Sequence, residues 1–276
     1  MSTAARFGDL GTRVGSAAVL VAVGALDLWV GGGWFLALLV VVVGAILWEL
    51  AHLVHPDQRA SARAAMGIAG AAAMASGTLL APVGLATVLA ALLPALVALA
   101  ALPAGRRIFA LYGSLAVLAG LSLWHLRIAP GDDGLGWTLW LIVVVVATDV
   151  AGYFAGRLIG GPKFWPRVSP NKTWSGTLAG WVAAAILGGV GAAQLGRVGA
   201  DVALATLLAV LLAIAAQAGD LWESALKRRA GVKDSSRLIP GHGGVMDRFD
   251  GMIAAAALMG AIAVATGFPF ALSGGG

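Results

Sequence analysis

Two stretches hold residue types that could do chemistry together. In "GDLWESALK", Asp220, Glu223, Ser224 and Lys227 stand at i, i+3, i+4 and i+7, so a helix through this segment carries all four on one face. A Glu223–Lys227 pair on a surface helix explains part of that stripe but leaves Asp220, which sits where the run should still be apolar. In "GHGGVMDRFDG", residues 241–251, Gly241, Gly243 and Gly244 precede Asp247 and Asp250, spaced i, i+3 at the start of a long apolar segment. Capping alone, with Asp247 as N-cap and Asp250 at N3, leaves the glycines, His242 and Arg248 unexplained. Glycines let backbone N–H groups approach a phosphate, and a helix N-terminus favours an anion. The two carboxylates would repel that anion unless a cation stood between them. With oxygen ligands, no cysteine in the chain and a phosphate partner, that cation is magnesium. His242 is read as a phosphate-binding residue before a metal ligand.

A third stretch, "TDVAGYFAGRLIGGPKFWPRVSPNKTWSG" (148–176), adds Asp149, nine residues and so about 14 Å inside a helix that ends near Leu158. An ionisable group at that depth is a functional candidate by default. Gly152, Gly156 and Gly160 recur every four residues, which lets another helix pack closely. The loop that follows offers Lys163, Arg167, Ser169, Asn171, Lys172 and Thr173 as phosphate donors, held by Pro166 and Pro170.

The elements that must position these residues are membrane helices. Of 276 residues 60% are hydrophobic and 11% charged, and the mean hydropathy is +0.92, far from a soluble domain. Apolar runs without period-2 alternation favour helices over a barrel. The expected fold is therefore all-α and polytopic, with about nine spans near 15–30, 34–53, 65–81, 83–102, 108–126, 135–158, 175–195, 203–222 and 250–270. The first span is read as retained, because no small-residue cleavage site follows it and "VGGGW" turns into the next. Of 18 Lys and Arg residues, only Arg127 and Arg197 fall on one side of this arrangement, leaving 16 on the other. That split predicts a cytoplasmic N-terminus and an external C-terminus. The net charge of +5 is thereby topology, and no solvated basic domain exists to bind nucleic acid. The chain reads as a single membrane domain, with a helical scaffold of five spans in 1–130 and a catalytic half in 131–276 of four spans and two cytoplasmic loops.

The run "SALKRRAGVKDSSRLIPGHGGVMDRFD", residues 224–250, resembles the signature of the phosphatidate cytidylyltransferases, or CDP-diacylglycerol synthases. It matches at Ser224, Lys227, Arg228, Lys233, Asp234, His242, Gly243, Gly244, Asp247, Arg248 and Asp250. "TDVAGYFAGRLIG" and "SPNKTWSG" are similar to a second block of that family, with departures at Ser175, where Glu is usual, and at "GGPK". The resemblance implies transfer of CMP from CTP to phosphatidate, giving CDP-diacylglycerol and pyrophosphate in phospholipid biosynthesis. It also implies a bacterial inner membrane, an active site facing the cytoplasm, and a homodimer. On this reading Asp220 and Asp247 are the main metal carboxylates, with Asp250 and Asp149 in support. Lys227, Arg228, Lys233, Arg248 and Lys172 bind phosphate, joined by Ser224, Asn171, Ser169, His242 and the Gly243–Gly244 turn. The cofactor is Mg2+, with K+ as a candidate second cation. The CDP-alcohol phosphotransferases are a poorer fit, because "DGMIAAAALMG" carries no further carboxylate. The alternative from another class is a cation-coupled transporter with Asp149 and Asp220 as ion sites, weakened by the lack of an internal repeat.

Overall fold

The computed structural model describes residues 3–79, 85–102, 105–129 and 133–266. Nine helices fall among them: α1 (Thr3–Val30), α2 (Gly32–Val54), α3 (Ala60–Leu79), α4 (Leu85–Ala101), α5 (Arg106–Arg127), α6 (Asp133–Leu158), α7 (Trp174–Gln194), α8 (Ala200–Arg229) and α9 (Met246–Thr266). Each expected span coincides with one of them. Seven are long and apolar enough to cross a bilayer. The other two are α3, rich in Ala and Gly, and α4, described over 17 residues.

One local element departs from the sequence reading. The segment between α6 and α7 is not a plain loop but a short antiparallel hairpin, β1 (Lys163–Trp165) with β2 (Ser169–Thr173), pairing Lys163 with Thr173 and Trp165 with Ser169. Strands of three and five residues, the first flanked by Pro162 and Pro166 and the second containing Pro170, leave no usable alternation in the sequence. An edge-to-face contact of Phe164 with Trp174, centroids 4.7 Å apart, fixes the hairpin to the start of α7.

Small residues set the helix crossings. A Cβ on Gly176 would lie 2.5 Å from the Gly152 carbonyl oxygen, and one on Gly156 2.9 Å from Thr173 Oγ1, so α6 and α7 meet backbone to backbone there. Gly160 does not share that role: it has open space around it and a φ of +67°, and it ends α6. At the α8–α9 crossing a Cβ on Gly219 would stand 2.6 Å from the Asp250 carbonyl oxygen. The buried alanines Ala255, Ala256 and Ala257 let α9 lie at the centre of the bundle, against α5 and α8. Arg127 donates to the Leu28 and Trp29 carbonyls at 2.8 and 3.1 Å, tying α5 to the last turn of α1. The polar residues of interest collect at the other end.

Candidate active site

The helix α8 runs 30 residues without interruption, so its polar stripe continues directly from the apolar span. Because Gly219 admits α9 so closely, Asp220 on α8 and Asp250 on α9 face each other across the crossing. Asp220, Glu223 and Asp250 each offer one carboxylate oxygen within 4.8 Å of the other two. Glu223 is fully buried. Two lysines border this trio: Lys172 pairs with Asp220, and Lys227 lies 2.5 Å from Glu223 Oε2. Ser224 reaches Asp220 only weakly, at 3.4 Å. Among the described residues Asp250 accepts one hydrogen bond, from the Gly251 N–H at 2.7 Å.

Asp247 has different company. Its Oδ1 accepts from Lys227 Nζ at 2.6 Å, while Oδ2 accepts from the N–H groups of Ser235 (2.8 Å) and Gly244 (2.7 Å) and from Ser235 Oγ (2.9 Å). This carboxylate therefore organises the turn, with Lys227 linking it to Glu223. Gly243 turns the chain with a φ of +85°, and a Cβ there would strike Asp247 Oδ2 at 2.8 Å.

The N-terminus of α9 is already occupied by an anion from the protein itself. Glu49 of α2, fully buried, accepts from the Val245 N–H (2.9 Å) and the Met246 N–H (2.7 Å). It also accepts from Ser236 Oγ at 2.6 Å and Ser235 Oγ at 3.1 Å. Of the Gly243–Gly244 turn that was expected to offer backbone donors to a phosphate, the Gly244 N–H is thus engaged by Asp247, and the next two N–H groups, of Val245 and Met246, by Glu49. Sequence reasoning missed Glu49, Ser235 and Ser236, and it read Glu223 only as a partner for Lys227. The available signal was a lone carboxylate within the second apolar run, the same criterion that singled out Asp149.

Two cavities carry most of the remaining candidates. One, of about 610 Å³, lies among α6, α7, α8 and the hairpin; Asp149, Lys163, Asn171, Lys172 and Asp220 line it, with Gln217. Asp149 is exposed to this space rather than to packed helix. The other, of about 670 Å³, is lined by Arg13, Lys233, Arg237, His242, Gly243 and Arg248 together with Asp234. There His242 Nδ1 lies 2.9 Å from Ser16 Oγ of α1. Ser169 and Arg228 line neither cavity; Ser169 is half-buried in β2 and Arg228 is exposed near the end of α8.

This arrangement is an oxygen-only carboxylate cluster bordered by lysines, with cation-lined cavities large enough for phosphate-bearing ligands. The sequence profile of the cytidylyltransferase family matches residues 11–265 of the chain. Among curated proteins, a phosphatidate cytidylyltransferase of Brucella suis is 52% identical over 147 residues, covering 51% of this chain and 52% of its own length. One of Helicobacter pylori is 46% identical over 122 residues (44% and 45%), and one of Staphylococcus haemolyticus 44% over 124 residues (44% and 46%). The chain thus spans about half the length of the curated relatives it matches.

Proposed function

The chain belongs to the cytidylyltransferase family, and from that premise we propose that it transfers CMP from CTP to phosphatidate, releasing pyrophosphate and forming CDP-diacylglycerol. The observation that carries this reading is the Asp220–Glu223–Asp250 trio, bordered by Lys172 and Lys227, whose Asp220 lines the Asp149 cavity. The donor set fits a hard divalent ion: three carboxylate oxygens within 4.8 Å repel one another, only two lysines offset them, and no thiolate or second ligand type competes. Asp220, Glu223 and Asp250 would hold Mg2+, with Asp149 beside Asp220. Such an ion, when bound, neutralises charge on the nucleotide phosphates and the departing pyrophosphate.

The chain's own residues do the rest by position. The phosphate monoester of phosphatidate is already an anionic nucleophile, so a strong general base is not needed. Its oxygen forms a bond to the α-phosphorus of CTP as the bond from that phosphorus to the β-phosphate bridging oxygen breaks. Lys172 and Asn171 on β2, with Lys163, supply donors in one cavity; Lys233, His242 and Arg248 supply them in the other. Lys227, fixed between Glu223 and Asp247, holds a positive charge where phosphate charge must gather. The site is proposed to face the cytoplasm, where CTP is found, and the asymmetry of the loop charges supports it.

The test is pyrophosphate release by the purified protein in detergent with CTP and Mg2+, with and without phosphatidate, beside an Asp220→Asn control. Release that requires phosphatidate and is lost in the control is the expected result. Release independent of phosphatidate, or unchanged in the control, would overturn the assignment.

A further inference from the structure

Glu49 has no counterpart in the reaction just proposed, yet its surroundings are built to a narrow specification. It is a fully buried carboxylate, and no ion pair to it occurs among the described residues. It is held by two backbone N–H groups at the start of α9, by the Ser236 hydroxyl, and by the Ser235 hydroxyl, whose single hydrogen is shared with Asp247. A buried carboxylate without a cation is stabilised by donors that fill its lone pairs and by a helix N-terminus pointing at it, and Glu49 has both. All four donors lie between residues 235 and 246, on the segment that carries Lys233 and His242 and ends beside Asp247 and Arg248. Ser235 Oγ connects the two acids directly, at 3.1 Å from Glu49 and 2.9 Å from Asp247. From Asp247 the connection continues through Lys227 to Glu223, a member of the trio.

We propose that Glu49 is a positioning residue for the cytidylyl transfer: from α2 it clamps the 235–246 segment so that Asp247 fixes Lys227 against Glu223 and the cations of the 670 Å³ cavity meet substrate phosphate. The proposal rests on the reaction proposed above. It gives α2 an indirect part in the site, through one side chain, beside the Arg13 and Ser16 of α1 that already border the 670 Å³ cavity. Gln is the informative substitution, since it keeps the volume of Glu but turns an NH2 toward groups that are themselves donors.

The experiment compares wild type, Glu49→Gln, Ser236→Ala and the double variant, each full length and purified in detergent. Kinetics with CTP and phosphatidate are read beside peptide-level hydrogen–deuterium exchange. In Glu49→Gln, exchange should rise within 233–248 while α2 and the body of α9 stay protected, and kcat/KM for CTP should fall about 10- to 100-fold with a raised KM. A smaller active fraction would instead leave KM unchanged. Ser236→Ala should lose roughly 3- to 10-fold, and the double variant no more than Glu49→Gln alone, because both act through one segment. Unaltered kinetics in Glu49→Gln, or exchange that rises throughout the bundle at unchanged KM, would overturn the role. If Glu49→Gln does not accumulate, Ser236→Ala carries the test, and wild-type kinetics and exchange in it would overturn the role equally. An inactive wild type would instead overturn the proposed reaction, and this role with it.

Discussion

Asp247 and Asp250 lie three residues apart on one helix turn, yet their environments assign them different tasks. Asp247 is saturated by Lys227, Ser235 and the Gly244 N–H, whereas Asp250 accepts only the Gly251 N–H and faces two other carboxylates. Replacing Asp250 by Asn removes a charge from the trio without breaking an ion pair. Millimolar MgCl2 should therefore raise the melting temperature of the wild type, by about 2–4 °C for each kcal/mol of binding free energy, and leave Asp250→Asn unmoved, with turnover down roughly 100-fold or more. Asp247→Asn should keep the magnesium shift but lose about 1–3 kcal/mol of stability, since the Lys227 ammonium loses one of its two carboxylate partners and the turn its anchor. Differential scanning fluorimetry with and without MgCl2 separates the two. The reverse pattern would return the metal to Asp247.

At the scale of elements, the site depends on how closely α8 and α9 cross. Gly219→Ala would place a methyl group 2.6 Å from the Asp250 carbonyl oxygen and 2.7 Å from Ala254 Cβ; backbone cannot step aside cheaply, so the helices must separate. The expected cost is about 1–3 kcal/mol, accompanied by loss of the magnesium shift as Asp220 and Asp250 move apart; thermal melts of this variant check both. Gly160→Ala, with open space but a positive φ, should cost roughly 1 kcal/mol and leave that shift intact. Much of this frame was legible in the sequence because it follows from hydrophobic length and periodicity: the nine helices, the unbroken α8 and its stripe through Asp220, Glu223 and Lys227. The hairpin was not, since two strands this short carry no period. Nor was the clamp by Glu49, because helix capping is normally local and here the cap comes from a residue almost 200 positions earlier. No spacing rule connects "WEL" with "GGVMD"; only the packing of α2 beside α9 does.

For the whole molecule, the uneven distribution of Lys and Arg predicts an orientation in the bilayer, and the absence of cysteine makes that prediction directly measurable. Single cysteines at Val198, 77% exposed between α7 and α8, and at Leu238, 51% exposed in the 230–245 segment, lie at opposite ends of the bundle. In intact cells a membrane-impermeant maleimide should label Val198→Cys, and Leu238→Cys only after the membrane is opened. Labelling of Leu238→Cys alone from outside would reverse the orientation, and labelling of both would overturn a single fixed one. The reach of Glu49 from α2 to the start of α9 also bears on biogenesis. A chain made from its N-terminus inserts the second helix long before the ninth, so this carboxylate waits near the membrane surface, five residues from the end of its helix, until its donors arrive. A chain stalled before α9 therefore lacks both the helix at the centre of the bundle and the donors that Glu49 awaits, and the 235–246 segment is fixed only once α9 has entered.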